Sequence, residues 1–397
     1  MDDGAFVVHG DLHNHSLHSD GRGDPQRAFE QMREAGLDVA ALTDHASIPR
    51  SRLGELSLDS YPDLAALNSA RSAPRSFDAA AWERTARIAD AHDVPGEFTA
   101  LRGFEWTEPW LGHVNVWFSK TYLPVTTPGH LAGLEDFLVE REPGALYGYN
   151  HPGREPGRLH GFARPTRYGD AAAALERRMV AVEAFNRQWD FLFSGRGGAA
   201  VDGAAGSPAA SPLTLILDLG WRPGFIGCSD EHGFSYGLAG KGRTGLWVHE
   251  HSRAGVRQAM EARRVYATRE VGLRLDATID GVRMGSSVPG QLGGAHVLRV
   301  DLGGGDYDGV DVELQLLSGD GAGNVVTCAR LAGMGGEVTT ADAVLPDGCR
   351  WIVLRVADPA HHNDTPGPEG HPANAWGVAY TSPWWPAETP SQRAVRH

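Results

Sequence analysis

The sequence predicts a two-part chain: an α/β unit built on a parallel sheet or barrel, then a small all-β domain of sandwich type. Two observations predict it. Up to about residue 269, short apolar runs end in polar clusters and helical stretches follow, the alternation of repeated β-α units. Beyond residue 271 the helical period is absent, and short alternating runs are separated by glycine-rich turns. The boundary is therefore placed at residue 270, giving an α/β unit over 1–270, a β domain over 271–386 and a frayed tail over 387–397. The 397 residues suffice for two or three domains at about 150 residues each.

Residues 6–12 read as a strand. Residues 25–35 read as a helix, with Pro25 in its first turn. A second strand covers 39–42, a helix 79–91, and strands 99–104 and 114–118. A helix over 131–140 and a strand over 146–149 follow, then a helix over 171–178 and a strand over 180–185. Residues 195–211, rich in Gly, Ala, Ser and Pro, read as a mobile loop. A helix over 213–219, a strand over 224–228 and a last helix over 253–263 complete the first part. In the second part, strands are expected over 273–279, 296–302, 310–317, 351–356 and 376–380, with a Pro/Gly/His-rich loop over 358–374. Three roles are open to the β domain: sealing one face of the barrel, mediating a dimer, or lending a loop to the pocket.

Composition narrows the function. Fifty acidic against 36 basic residues give a net charge of −14, a poor match for non-specific binding of nucleic acid or anionic membrane. No run approaches the ~18 apolar residues of a membrane helix, and residues 1–9 lack a signal-peptide pattern. Cys228, Cys328 and Cys349 are too few and too scattered for a disulfide framework. The expectation is a reduced, cytoplasmic protein acting on a small molecule, with no nucleic-acid or membrane partner. The sequence leaves its oligomeric state unknown.

The chemistry sits where predicted strands end. In Asp11-Leu12-His13-Asn14-His15 the two imidazoles share one face of a strand, and Asp20 approaches from the loop beyond. His45 closes a second strand in Thr43-Asp44-His45, where Asp44 can orient an imidazole. Glu105 ends a third strand, where its carboxylate could bridge two ions, and His113 follows eight residues later. His151 lies in Asn150-His151-Pro152-Gly153, and Asp230 and His232 repeat the i, i+2 spacing. For His113 the alternative is a pocket-wall histidine; for His151 it is a turn. Strand ends of a β/α barrel gather on one face, so six histidines and three acids converge there. At about three to four ligands per ion, these nine serve two or three divalent metals, and imidazole and carboxylate donors suit Zn, Mn or Fe.

Taken together, His13-x-His15, Ser19-Asp20-Gly21, Thr43-Asp44-His45, Glu105, His113, His151 and Asp230-x-His232 resemble the polymerase-and-histidinol-phosphatase (PHP) family of metal-dependent phosphoesterases. The resemblance covers about residues 6–269. It implies a distorted (β/α)7, TIM-like barrel with the metal cluster at its mouth and Glu105 as the bridging carboxylate. Residues 97–118, Arg263-Arg264-Val265-Tyr266-Ala267-Thr268 and Thr381-Ser382-Pro383-Trp384 are similar to stand-alone members with a C-terminal β domain. That branch includes carbaryl-hydrolase-like enzymes, which cleave a carbamate ester.

Amidohydrolase barrels also begin with His-x-His, but many need a carbamylated lysine, and the chain holds only Lys120 and Lys241. A serine hydrolase needs a Gly-x-Ser-x-Gly elbow, which is absent. The expected activity is hydrolysis of a small-molecule phosphate ester by a metal-bridged hydroxide. The alternatives are a metallohydrolase of ester, carbamate or amide bonds, and a non-catalytic metal-binding accessory protein. Glu105 and His232 are the catalytic candidates within the cluster; His232 either protonates the leaving group or serves only as a ligand. Arg154 is the candidate for gripping a substrate oxygen, against a plain surface arginine, with Arg243 and Lys241 behind it. Trp106 and Trp110 either wall the pocket or pack in the core. His18 reads as exposed and His9 as strand packing.

Overall fold

The computed structural model describes residues 4–49, 51, 53, 64–109, 111–125, 131–153, 169–193, 211–363 and 369–387. They form a mixed α/β fold with one large sheet and an all-β C-terminal region. The first part runs β1 (Phe6–Asp11), α1 (Pro25–Glu34), β2 (Val39–Leu42), β3 (His45–Ala46), α2 (Leu64–Arg71) and α3 (Ala79–His92). Then come β4 (Thr99–Glu108), β5 (Gly112–Trp117), α4 (Ala132–Asp136), β6 (Leu146–Tyr149), α5 (Asp170–Arg178), β7 (Met179–Asn186) and β8 (Trp189–Asp190). It ends with α6 (Pro212–Asp218), β9 (Gly224–Cys228), β10 (Arg243–Val248), α7 (Arg253–Glu261) and β11 (Val265–Thr268).

The helices follow local rules. Asp24 accepts the N–H groups of Gln26 and Arg27, Pro25 fills the first turn of α1, and Ala28, Phe29 and Met32 turn inward. Ser252 caps α7 by accepting the N–H of Gly255, and Val256, Ala259 and Met260 are its buried face. Helix α4 is shorter than expected, and Phe137–Arg141 continues it as a π-helical turn.

The large sheet departs from a regular strand-helix alternation. The pairs β1/β2, β2/β4, β6/β7 and β7/β9 are parallel, as expected. But β5 is antiparallel to β4 and β6, and β10 is antiparallel to β1 and β11. No helix lies between β9 and β10. The sheet curls until β9 lies against β10 and β11. Thr244 Oγ1 accepts from the N–H of Gly227 and donates to its carbonyl. The approach needs glycine: a Cβ on Gly227 would stand 2.4 Å from the carbonyl oxygen of Arg243.

The C-terminal region consists of β12 (Arg274–Ile279), β13 (Val282–Arg283), β14 (Ser287–Val288), β15 (Gly294–Gly303), β16 (Asp311–Gly319), β17 (Val325–Met334), β18 (Val338–Leu345), β19 (Val353–His362), β20 (Ala375–Thr381) and β21 (Trp385–Pro386). Strands β13, β12, β15 and β18 form a separate sheet, whereas β17, β16, β19 and β20 extend the large one through β11. Leu275, Ala277, Leu298 and Val300 of the small sheet share a core with Leu314, Leu316, Leu354 and Val356 of the large one. Two packed β layers thus stand where the sequence predicted a sandwich.

Some expectations need correction. The 358–374 segment is not all loop, because β19 runs on to His362 and Pro372–Asn374 makes a 3-10 turn. Strands β17 and β18 escaped notice because their faces are mostly half-buried or exposed and weakly apolar. The expected loop at 195–211 lies outside the described residues except for Ser211, the cap of α6. The tail expectation falls outside them except for Ala387. No helix among the described residues is long and apolar enough to cross a membrane.

Candidate metal centre

Beyond its last residue, β1 continues alongside the chain that leaves β9. Asn14 bridges Glu231, His15 N–H donates to Glu231 O at 2.9 Å, and Asp230 N–H donates to His13 O at 3.0 Å. This register sets the His13/His15 pair beside the Asp230/His232 pair, so two i, i+2 motifs 217 residues apart in their first members (230 − 13) meet in one place. Buried Asp11 ties the same crossing by accepting the N–H of Ser229 at 3.1 Å.

Glu105 occupies the centre and is fully buried. Its Oε1 lies 3.3 Å from His13 Nε2, 3.1 Å from His113 Nδ1 and 3.2 Å from His151 Nε2. Its Oε2 lies 2.6 Å from His45 Nδ1 and 3.6 Å from His15 Nε2. Asp230 Oδ1 stands 3.2 Å from His15 Nε2 and 3.5 Å from His13 Nε2. Asp20 Oδ1 faces His45 Nε2 at 3.3 Å and His232 Nε2 at 3.4 Å. All nine predicted residues therefore meet in one cluster. Among the described residues, three ligand sets with donor atoms within 4.8 Å of one another could hold an ion: His15, Asp20, His45 and His232; His13, His15 and Glu105; His45, Glu105 and His113.

The donor chemistry fits divalent ions. Burial disfavours charge on His13, but Glu105, Glu183 and Asp230 together raise its pKa to about 10. Burial likewise opposes charge on His45, and Glu105 and Asp20 raise its pKa to about 9. Burial, with His45 and His232 as neighbours, holds His15 well below its ordinary value. Burial works against the ionised forms of Glu105 and Asp230, yet the surrounding imidazoles hold both well below the usual carboxylate range. Three carboxylates amid stacked imidazoles thus demand positive charge, which dications supply without protons on the ring nitrogens.

Sequence reasoning missed the partners that aim these ligands. Glu183 on β7, fully buried, takes His13 Nδ1–H at 2.7 Å, the N–H of His151 at 2.6 Å and Asn186 Nδ2–H at 2.8 Å. An ionised carboxylate only accepts, so His13 carries its proton on Nδ1 and turns the Nε2 lone pair to the cluster. His232 Nδ1 lies 2.9 Å from Asp230 O, with Nε2 toward Asp20. Asn150 Nδ2–H donates to Glu105 Oε1 at 2.7 Å. Asp44 does not orient an imidazole as expected. It accepts from the N–H and hydroxyl of both Ser16 and Ser19, at 2.6–3.1 Å, and so fixes the loop that carries Asp20. His151, Arg187 and Asp230 hold φ values of +24°, +52° and +49°, rare for side-chain-bearing residues and concentrated at this site.

The other expectations divide. Arg154 and Trp110 lie outside the described residues. Trp106 is buried in the apolar core. Arg243 turns its Nη2 to Gly237 O, and Lys241 pairs with Glu231, so both have internal partners. His18, read as exposed, is buried, with Nδ1 2.9 Å from Thr85 Oγ1. His9 packs as expected, its Nε2 2.8 Å from Leu273 O.

Residues 55–122, a stretch that includes Glu105 and His113, match the model of a family described as a protein of unknown function, DUF3604. Among curated proteins none matches the chain. One similar solved structure is a two-domain protein containing a predicted PHP-like metal-dependent phosphoesterase from Bacteroides vulgatus, 17% identical, with a TM-score of 0.45 and 95% of each chain covered. Another, given as a candidate metal-dependent phosphoesterase from Bifidobacterium adolescentis, is 14% identical, with a TM-score of 0.29, covering 56% of this chain and 87% of that one. At these values neither likeness carries weight, and the site's own geometry has to.

Proposed function

We propose that this chain is a PHP-type metal-dependent phosphoesterase acting on a small-molecule phosphate ester. His13, His15, Asp20, His45, Glu105, His113, His151, Asp230 and His232 would hold two or three divalent ions. The observation that carries this reading is the disposition of Glu105: its two oxygens face different imidazoles, which would let one carboxylate serve two ions. Bound divalent ions supply water acidic enough to attack near neutral pH and positive charge against the developing oxyanion. The chain's own residues do the rest. Glu183 fixes the His13 tautomer, and Asp44 holds the loop that delivers Asp20. His232, with its Nε2 toward Asp20, is assigned ligation and not proton delivery.

The test is p-nitrophenol release from aryl phosphate mono- and diesters, an aryl acetate and an aryl carbamate. The protein is loaded separately with Mn or Zn, with His13→Ala as control. Phosphate turnover lost in His13→Ala is expected. Turnover of the acyl substrates alone would move the chain to ester and carbamate chemistry, and silence with metal bound would overturn the catalytic reading.

A further inference from the structure

The turn between β7 and β8 is held from both sides. On one side it reaches the cluster. Arg187 Nη2 donates to Asp230 O at 2.7 Å and lies 3.3 Å from Asp230 Oδ2 and 3.1 Å from His232 Nδ1. Its backbone N–H donates to Cys228 O at 3.0 Å, which holds the left-handed φ of +52°. On the other side Arg269, which follows β11, and the C-terminal strands β19 and β20 grip it. Arg269 Nη2 donates to Gln188 O at 2.6 Å, with its guanidinium 4.2 Å from the Phe185 ring centre and 4.3 Å from that of Trp376. Asp190 accepts the Tyr380 hydroxyl at 2.9 and 3.0 Å and faces Arg355 Nη2 at 3.4 Å. Arg269, Arg355 and Tyr380 are fully buried.

The Arg187 side chain is 35% exposed, as is that of Asp20, and His232 is 28% exposed, so these three mark the most open side of the cluster. The Arg187 guanidinium reaches the cluster at Asp230 and lies beside His232. A guanidinium beside the ions suits a doubly charged phosphoryl group better than a neutral acyl group.

We infer that Arg187 binds a non-bridging oxygen of the substrate phosphoryl group, and that Asp190 is a positioning residue through which the C-terminal strands hold Arg187 on that side of the cluster. This rests on the phosphoesterase reading. It gives the C-terminal region a part in substrate recognition without placing any of its residues against substrate.

The probes are p-nitrophenyl phosphate for kinetics and inorganic phosphate for binding by titration calorimetry, on the metal-loaded full chain. Metal content is checked by elemental analysis. Arg187→Met is expected to raise KM and weaken phosphate binding by about 10-fold or more, the size of one lost charge-assisted hydrogen bond. Metal content stays at the wild-type level, and Arg187→Lys recovers part of the loss. Asp190→Asn, and the milder Tyr380→Phe, shift KM in the same direction with a smaller change in kcat. Arg187→Met/Asp190→Asn should be no worse than Arg187→Met alone, because both act through one contact.

Unchanged KM and phosphate binding in Arg187→Met, with metal retained, overturns the inference while leaving the phosphoesterase reading intact. Additive effects of the two substitutions overturn the positioning role. A wild type that neither turns over nor binds phosphate overturns both readings.

Discussion

Glu183→Gln isolates one carboxylate that touches the cluster only through its ligands. The substitution keeps shape and volume but replaces one acceptor oxygen with a donor amide. In the native site Oε1 takes His13 Nδ1–H at 2.7 Å, and Oε2 takes two further donors at 2.6 and 2.8 Å. Whichever way the amide points, a donor faces a donor in a fully buried place. One unmatched buried donor costs about 1–3 kcal/mol. The orientation that opposes one donor instead of two puts the amide against His13, whose tautomer is then no longer fixed with Nε2 toward Glu105. Outer partners of metal-bound imidazoles are worth about 10–100-fold in affinity, or ~1.4–2.7 kcal/mol, the same size by an independent route. Competition with a chromophoric chelator for Zn reads it directly, with thermal unfolding of the metal-free protein as control. The expected result is an affinity lowered by about 10–100-fold. Wild-type affinity in folded Glu183→Gln would refute the assignment of His13 as a ligand aimed by Glu183.

Three further outcomes follow from the same structure. Gly227→Ala puts a Cβ 2.4 Å from Arg243 O and 2.8 Å from Arg243 N, both backbone. It should cost about 1–3 kcal/mol, read as a lowered denaturation midpoint, and a neutral effect would mean that β9 does not press on β10. Ser252→Ala removes the cap of α7 and should cost ~1 kcal/mol, with Ser252→Asp recovering most of it. Burial holds His9 below its ordinary 6.5. The unfolded chain therefore binds a proton there that the folded chain refuses. Stability from this group is present above 6.5 and is lost as pH falls from 6.5 toward the lowered folded value. Unfolding midpoints between pH 7 and 5 should fall less steeply in His9→Gln than in wild type, and equal slopes would contradict the assignment.

Much of the site was legible because most of its candidate ligands stand beside strand ends, where an apolar run stops and a His or an acid follows; Glu105, expected to end its strand, lies inside β4, which runs on to Glu108. The His13/His15 and Asp230/His232 pairs come together because the chain beyond β1 bridges the chain beyond β9 at Asn14 and Glu231. Glu183 was also within reach: it is the one charged residue in the fully buried strand Met179–Asn186, and a charge so placed requires partners. Arg187 left no signal, since its role depends on a turn geometry and on an Asp230 contact 43 residues away. His18 misled because a histidine in a polar loop reads as solvated, and the Thr85 partner is 67 residues distant. The fold shows the same division. Helices and buried strands appeared through local pattern, whereas the pairing of β11 with β20, Tyr266 opposite Thr381, joins segments that only the folded chain brings together. Strand β10 begins Arg-Thr-Gly and carries too little apolar alternation to announce itself.

The most direct test of the account is anomalous diffraction from crystals of the full chain soaked in Mn, and separately in Zn. Two or three anomalous peaks are expected inside the ring of His13, His15, Asp20, His45, Glu105, His113, His151, Asp230 and His232, with one carboxylate, that of Glu105, between two of them. Peaks confined to the protein surface, or none within this ring, would contradict it.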